Sequence, residues 1–316
     1  MVSVDVSVVI PTRNRWTTWL PRTLAYALDQ EAVELEIIVV DDCSDTPAPP
    51  DLVPAGETRV RVLRQESNVG QARARNLALA EARGEWIAVL DDDDLWAPRK
   101  LRLQLDAAAA RDAAYCYAAA LVTDDRFSRF ERWDAPDPDE LADLLIEGNV
   151  VPAGASNMLV RTDLLRELGD FDDGLAQLAD WDMWLRVTRA ARGAAVAEPL
   201  VLYIQHARGA AMSEPRDPLD ELDRLWSRHG GRIDRVGFTR WAAGRMRLAG
   251  RDRLARRLYW RSGLHYRDPG NIARAAGLLL GERAMALRNL APDRRDRVAL
   301  APRPDWLREP APNAEA

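Results

Sequence analysis

The first ninety residues alternate short runs of apolar, often β-branched residues with segments whose apolar residues recur at helical spacing. The runs predict strands over Val4–Ile10, Leu35–Val40, Val60–Leu63 and Trp86–Leu90. Helices are predicted over the apolar repeat that runs from Trp16 to Leu28 and over Ala72–Ala82. Strands joined by helices of about a dozen residues imply right-handed crossovers and a parallel sheet covered on both faces. The fold class predicted from this pattern is therefore α/β.

The pattern changes twice further along the chain. Residues 98–213 mix predicted strands and helices less regularly, and from residue 214 onward the apolar spacing is helical throughout. The last residues are rich in Pro and Ala, a composition that buries little apolar surface. We predict an α/β domain over 1–213, a helical subdomain over 214–300 and a disordered tail over 301–316.

Charge divides along the same boundary. Residues 1–213 carry 22 basic and 36 acidic side chains, and residues 214–316 carry 22 and 14, so a net charge of −6 combines −14 with +8. The basic helices admit three interpretations. They pack on the α/β domain and shape its ligand site, they contact an anionic membrane surface or a partner, or they form one helix pair of tetratricopeptide type. The arginines of these helices alternate with acidic residues, and no known nucleic-acid-binding motif is present, which argues against nucleic acid binding.

Three features bear on localisation. No apolar run approaches the roughly 18 residues of a membrane span, and the segment Met1–Pro11 lacks the basic start and cleavage site of an export signal. Two cysteines are too few for a disulfide framework. We expect a cytoplasmic protein, with peripheral contact at the inner face of the membrane as one option for the basic helices.

Two acidic clusters each follow a predicted strand. Asp41 and Asp42 come after the second strand, and the run Asp91–Asp94 comes after the fourth. In an open parallel sheet these ends lie at the carboxyl edge, where ligands bind. Neighbouring carboxylates repel one another, so a divalent cation is expected there, with Mg²⁺ or Mn²⁺ suited to carboxylates and substrate phosphates. The alternative is a solvated turn that caps the following helix.

Four segments in this order resemble the motif series of family 2 glycosyltransferases. They are Val8–Arg15, Val39–Asp45, Asn68–Gly70 with Ala74–Asn76, and Leu90–Pro98. The resemblance continues to about residue 213. It implies the GT-A fold, a nucleotide-binding α/β/α sandwich, here with a C-terminal helical appendage, and a nucleoside-diphosphate sugar as the donor substrate.

The resemblance also implies roles for residues on the donor side. Asp42 would accept hydrogen bonds from the base or the ribose, and either Arg73 or Arg75 would approach the nucleotide or its diphosphate near a helix N-terminus. The end of the first strand would lie against the nucleotide through Pro11, Thr12, Arg13 and Asn14.

On the same resemblance, the run after the fourth strand matches the metal-binding DXD element. Asp93 would bind the cation, Asp91 or Asp92 would turn toward the ribose, and Asp91 is also a candidate metal ligand. His206, after the last strand of the domain, matches a family position that completes the metal or diphosphate site. Asp94 is explained equally well as a helix N-cap.

The segment Leu178–Arg186 resembles the Glu-Asp motif of the family, in which the Asp is the general base. Asp180 is retained, whereas Ala179 stands where the family has Glu. A carboxylate there would take the proton of the attacking hydroxyl, and a single displacement inverts the anomeric centre. A helix N-cap is the alternative role of Asp180, and Asp182 is interpreted as structural.

The sequence therefore predicts a metal-dependent inverting glycosyltransferase that transfers a sugar from a nucleoside-diphosphate sugar to an acceptor hydroxyl. The acceptor, whether glycan, lipid carrier or metabolite, stays open. A catalytically silent nucleotide-sugar-binding partner protein is a rival because Ala179 replaces Glu. A nucleotidyltransferase is a weaker rival, since no Gly-rich phosphate loop with Lys or Arg follows the first strand.

Overall fold

The computed structural model describes residues 4–206, 217–248, 251–279 and 299–308, and these form two compact units. The first unit comprises the described residues up to 142, then 150–206 and 299–308. The second comprises residues 143–149 with the described parts of 217–279. Each unit is described by itself.

One half of the sheet in the first unit is parallel, as the sequence predicts. Its strands lie in the order β3-β2-β1-β4 and are β1 (Val6–Thr12), β2 (Leu35–Asp41), β3 (Val60–Arg64) and β4 (Trp86–Val89). The crossover helices include α1 (Leu20–Leu28) and α2 (Gln71–Glu81). Every residue of β1 and β2 is buried, so both faces of the sheet are covered.

The other half of the sheet is mixed, which the sequence did not predict. The order continues from β4 as β8-β6-β7-β10, with antiparallel pairing at each step, while β9 runs parallel to β6 and pairs with β5. These strands are β5 (Leu95–Trp96), β6 (Tyr115–Asp124), β7 (Phe130–Trp133), β8 (Leu159–Arg161), β9 (Gly193–Gln205) and β10 (Ala299–Ala301). Several are only two to four residues long, too short to show a periodicity.

The main core joins the parallel strands to α1 and to α3 (Lys100–Arg111). Alternate side chains of β1, namely Val6, Val8 and Ile10, pack in one cluster with Leu24 of α1 and Leu101 of α3. A helix predicted over the apolar repeat that begins at Trp16 starts later, at Leu20, with Pro21 in its first turn. The indole of Trp16 instead donates to the carbonyl of Thr46 at 3.0 Å and anchors the preceding turn.

Two further helices of the first unit lie between β8 and β9 in the sequence. Helix α5 (Thr162–Leu168) follows β8 directly, and α6 (Ala179–Ala190) leads into β9. Because β1, β2 and β4 are parallel, their carboxyl ends meet at one edge of the sheet. The loops after these strands, together with the first turns of α2 and α6, carry the acidic and basic residues described below.

The second unit is helical in its described part. Its helices are the end of α4 (Leu141–Glu147), α7 (Pro218–Arg228), α8 (Arg235–Leu248), α9 (Asp252–His265) and α10 (Pro269–Gly277). Three of the described helices begin at a side-chain cap: Asp217 accepts from the backbone N–H of Leu219, Asp234 from that of Gly237, and Asp268 from those of Gly270 and Asn271.

The chain returns to the first unit near its C-terminus, which corrects part of one prediction. A disordered tail was expected over 301–316, but β10 pairs with β7, and Leu307 is buried against Tyr26 and Phe130. The backbone N–H of Arg308 donates to the hydroxyl of Tyr26 at 2.7 Å. The sequence did not predict this strand because β10 is stabilised by pairing with a strand more than 160 residues away, and its Pro-rich surroundings show no strand pattern. Residues 309–316 lie outside the described residues.

Among the helices that the structure describes, none combines the length and the hydrophobicity needed to cross a membrane.

Candidate active site

Asp42 lies at the end of β2 and is completely buried. Its two carboxylate oxygens accept the backbone N–H groups of Val69 at 2.6 Å and Gly70 at 2.9 Å. Gly70 has φ of 84°, in the region that favours glycine, and immediately precedes α2. Asp42 therefore fixes the turn that starts α2. Its predicted hydrogen bond to a base or a ribose stays a prediction.

The loop between β4 and β5 turns two of its four aspartates inward. Asp92 accepts a hydrogen bond from the hydroxyl of Thr12 at 2.6 Å, and burial, followed by the charge of Asp93, raises the pKa of Asp92 to about 7. Asp94 accepts from Ser156 Oγ at 2.5 Å and from the N–H of Ile204 at 3.0 Å, and burial raises its pKa well above the usual range. Both are embedded in the fold.

The inward position of Asp94 corrects the alternative explanation of that residue. The sequence allowed Asp94 to be the N-cap of the helix that follows it. The N-cap of that helix, α3, is Arg99, and Asp94 lies before β5. The two-residue strand β5, which was not predicted, separates the acidic run from the helix. Asp94 instead links the loop to the 3₁₀ turn Gly154–Asn157 and to β9.

Asp91 faces the opposite way and pairs with α2. Its Oδ1 accepts from Arg75 Nη2 at 2.6 Å and from the side-chain amide of Gln71 at 3.0 Å. Arg75 is only 3% exposed, whereas Arg73 is exposed. The sequence left these two arginines as equal candidates for the nucleotide, and Arg75 is the one that pairs with the acidic loop.

Asp93 faces outward beside His206, the residue that directly follows β9. Its Oδ2 lies 3.0 Å from His206 Nε2 and 3.4 Å from Arg15 Nη2. The second ring nitrogen of His206 lies 3.6 Å from Asp125 Oδ2. The hydrogen bond to Asp93, opposed by partial burial, raises the pKa of His206. Two of the predicted metal ligands, Asp93 and His206, are thus adjacent.

Asp180 lies in the first turn of α6. Burial raises its pKa to about 6; the charge of Arg75 lowers it and the charge of Asp91 raises it further. Asp180 therefore shares its electrostatic surroundings with the Arg75–Asp91 pair. The next acidic residue, Asp182, is buried and paired with Arg186 at 2.9 Å, which agrees with the structural role predicted for it.

The predicted nucleotide-binding segment at the end of β1 divides between buried and exposed residues. Pro11 and Thr12 are buried, and Thr12 supports Asp92. With the amide of Asn68 oriented to satisfy its hydrogen bonds, the Asn68 oxygen accepts from Arg13 Nε at 3.1 Å and Nη1 at 2.8 Å. Asn14 is exposed, has φ of 58°, and donates its backbone N–H to Ser44 Oγ at 2.8 Å.

Several residues of the site carried no recognisable signal in the sequence. Ser156 Oγ accepts the backbone N–H of Asp91 at 3.1 Å and donates to Asp94, so one hydroxyl joins both ends of the acidic run. Gln71 and Arg15 contact Asp91 and Asp93, and Asp125 approaches His206. These contacts join residues between 20 and 81 positions apart in sequence, so no local pattern reveals them.

Solved structures with a similar fold include those of TarS from S. aureus. The structure of TarS 1-349 in complex with UDP-GlcNAc has a TM-score of 0.58 and 18% sequence identity, over 89% of this chain and 92% of that chain. At this identity the likeness concerns the fold. It confirms the predicted α/β fold class of GT-A type.

Residues 7–169 match the model of the family "Glycosyl transferase family 2", and the chain belongs to that family. The succinoglycan biosynthesis protein ExoO of Rhizobium meliloti is 32% identical over 70% of this chain and 66% of its own length. The putative teichuronic acid biosynthesis glycosyltransferase TuaG of Bacillus subtilis is 38% identical over 35% of this chain and 45% of its own length. These matches confirm the family and the enzyme class predicted from the motifs.

A relative with a more specific name is the UDP-Glc:alpha-D-GlcNAc-diphosphoundecaprenol beta-1,3-glucosyltransferase WfgD of Escherichia coli. It is 31% identical over 35% of this chain and 44% of its own length. The chain thus spans less than two thirds of the length of these curated relatives.

Proposed function

We propose that the chain transfers a glycosyl group from a nucleoside-diphosphate sugar to a hydroxyl group of an acceptor, with inversion at the anomeric carbon. The observation that carries the proposal is that Asp180, the Arg75–Asp91 pair and the Asp93–His206 pair all lie beyond the carboxyl ends of the sheet strands or in the helix turn beside them. Family membership and the UDP-GlcNAc complex of the similar TarS structure support a nucleotide-sugar donor.

The donor side is assigned to the residues around the start of α2. Arg75 is buried and positively charged, and its ion pair with Asp91 holds its side chain in place. It would therefore bind the negatively charged diphosphate of the donor. Asp42 holds the turn before α2 and retains lone pairs for a base or ribose hydroxyl. Arg13 and Asn68 line the same end of β1 and β2.

Asp180 is assigned as the general base. At pH 7 a carboxyl group with a pKa of about 6 is mostly ionised, yet it is a stronger base than an ordinary aspartate. It would take the proton of the acceptor hydroxyl while the hydroxyl oxygen bonds to the anomeric carbon. The bond from that carbon to the diphosphate oxygen breaks, and the nucleoside diphosphate leaves from the opposite face. This single displacement is what inverts the configuration.

A divalent cation, Mg²⁺ or Mn²⁺, is part of the proposal, and Asp93 and His206 are the residues that would hold it. Their facing atoms are 3.0 Å apart, close enough for both residues to bind one cation. Within the described residues no cluster of three or more His, Cys, Asp or Glu could hold a metal, so phosphate oxygens would complete the site. The bound cation would offset the negative charge of the leaving diphosphate. Asp91, also predicted as a ligand, is engaged with Arg75.

The acceptor class proposed is a glycan or a lipid-linked glycan. Succinoglycan, teichuronic acid and a diphosphoundecaprenol-linked sugar appear in the names of three relatives. This favours a growing polysaccharide over a small metabolite.

The decisive experiment measures sugar transfer or donor hydrolysis by purified protein with UDP-, GDP- and dTDP-sugars, with Mn²⁺ or with EDTA. Turnover of one donor that stops with EDTA and returns on adding Mn²⁺ supports the proposal. Donor binding in a thermal-shift assay without turnover against a broad panel of glycan acceptors would favour a catalytically silent binder instead.

A further inference from the structure

One face of α9 in the second unit combines arginines with exposed apolar side chains. Trp260 is 48% exposed, Leu264 is 57% exposed and Leu254 is 51% exposed, and Arg253 and Arg257 are also exposed. Spacings of three and four residues bring Arg253, Arg257, Trp260 and Leu264 onto one side of the helix. These four residues, with Leu254 at the margin, are called the α9 face below.

The arginines of the α9 face differ from others in the same unit. Arg235 pairs with Asp223 and Arg240 pairs with Asp268, whereas Arg253 and Arg257 have no ion-pair partner within the described residues. The only acidic residue of α9 is Asp252, which lies 3.7 Å from Arg247 of α8. The positive charge of the α9 face is therefore left uncompensated by its own helix.

The opposite side of α9 is firmly packed, so the exposed face is presented by a stable element. Its buried residues include Ala255, Tyr259 and Gly263. A Cβ at Gly263 would lie 2.7 Å from the side chain of Ile272, which shows how closely α10 approaches. The buried amide of Asn271 donates to Ser262 Oγ at 2.9 Å and to Thr239 Oγ1 at 3.2 Å and thereby joins three helices.

We propose that the α9 face binds the surface of an anionic lipid bilayer. Arg253 and Arg257 would contact lipid phosphates, while Trp260 and Leu264 would insert at the level of the headgroups. A tryptophan with half of its surface exposed suits the bilayer interface because its ring is apolar and its N–H remains hydrated. The proposal is independent of the proposed glycosyl transfer.

Two other occupants fit the α9 face less well. A stable contact with a second copy of the chain would bury roughly 800 Å² on each side and would involve about 20–30 residues. The α9 face has only three exposed large apolar residues, Leu254, Trp260 and Leu264. Two like copies would also bring Arg253 and Arg257 close to the same charges on the partner. A bilayer needs only shallow insertion of a few side chains together with attraction to its charge.

The test is flotation or sedimentation of the full chain with vesicles of phosphatidylcholine alone or with 30–40% phosphatidylglycerol (roughly the anionic fraction that gives a strong negative surface potential). We expect binding only to the anionic vesicles, and binding should weaken in high salt because the charges are screened. The double variant Arg253→Gln/Arg257→Gln should bind at least about tenfold more weakly, since each basic residue near the surface contributes a severalfold gain in binding.

The matched control is Arg99→Gln/Arg232→Gln, which removes two exposed arginines that do not belong to α9. Trp260→Ala/Leu264→Ala should lower binding while leaving its salt dependence unchanged. Circular dichroism verifies folding of each variant. The proposal would be overturned if the two arginine variants bound vesicles equally well, or if the unmodified chain did not bind anionic vesicles. It would also be overturned if the chain did not bind vesicles and replacing Trp260 and Leu264 changed its oligomeric state.

Discussion

Arg75 Nη2 donates to Asp91 Oδ1 across 2.6 Å, and this ion pair joins α2 to the loop after β4. The arginine is almost fully buried and the aspartate is about one quarter exposed, so one side of the pair remains open to a ligand. Replacing Arg75 by Ala should lower kcat/KM for the donor on the order of tenfold or more, because Asp91 loses its partner and the diphosphate loses a cation.

The matched control for that change is Arg73→Ala, two positions away on the same helix but exposed. It should change kcat/KM less than about twofold. Both effects can be measured as initial rates at varied donor concentration. Equal losses in the two variants would remove Arg75 from the donor site.

The pH dependence of transfer should reveal Asp180. Only the ionised carboxylate can accept a proton, so the rate should fall as the pH decreases through about 6. Asp180→Asn should reduce kcat by roughly a hundredfold or more and abolish this limb of the profile, a loss in the range of general-base catalysis. Asp173→Asn, an exposed carboxylate in the preceding loop, serves as the control.

Asp180→Asn, which should lower kcat, should leave the stability of the fold unchanged or raise it. Because the folded state raises the pKa of Asp180, the stability linked to this group is present at low pH and is lost as the pH rises through about 6. Asp180→Asn should therefore unfold at the same or a higher temperature than the unmodified chain at pH 7.5. A clearly lower Tm would mean that the carboxylate stabilises the fold and that its pKa is not raised.

Ser156 should matter for activity through the acidic loop. Ser156→Ala leaves the backbone N–H of Asp91 and a carboxylate oxygen of Asp94 without this partner, at a cost of about 1–3 kcal/mol. We expect a lower Tm and a higher KM for the donor. Ser128→Ala removes an exposed hydroxyl that bonds to Asp124 and should alter neither quantity.

Glu36 should govern part of the stability in acid. Burial alone would raise its pKa, but hydrogen bonds chiefly from Arg83, then Ser7 and Arg61, outweigh burial and lower it to about 2. Its contribution is therefore present above its ordinary pKa of about 4.5 and is lost as the pH falls from there toward 2.

Glu36→Gln tests this linkage. It should destabilise the protein by roughly 1–3 kcal/mol at pH 7 and by much less at pH 3 in urea unfolding. Glu34→Gln, an exposed neighbour, is the control. An effect of Glu36→Gln that does not vary with pH would contradict the linkage.

The segment that returns to the first unit can be tested with two leucines. Leu307 is 5% exposed and packs with Tyr26 and Phe130, so Leu307→Ala should lower the free energy of unfolding by about 2–4 kcal/mol. Leu300 belongs to β10 but is 76% exposed, and Leu300→Ala should change it by less than about 0.5 kcal/mol. A negligible effect of Leu307→Ala would show that the tail does not pack there in solution.

Local pattern was sufficient for part of this molecule. The parallel strands β1 to β4 and the helix α2 follow from the alternation of buried apolar runs and helical repeats, and their observed ends differ from the predicted ones by at most two residues. The motifs in the loops that follow these strands identified the family. Such features are encoded within single segments, where periodicity and turn residues act directly.

Contacts distant in sequence decided the rest. The strands β5, β7 and β10 exist because edges of the sheet pair with them, and their own two to four residues carry no period. The same is true of the site: the sequence could not choose between Arg73 and Arg75, since the choice depends on which one α2 turns toward Asp91. The sequence by itself determined which chemical groups reach the carboxyl edge. Only tertiary packing decided which aspartates are buried and which stay partly exposed, because burial and pairing depend on the neighbours that folding supplies.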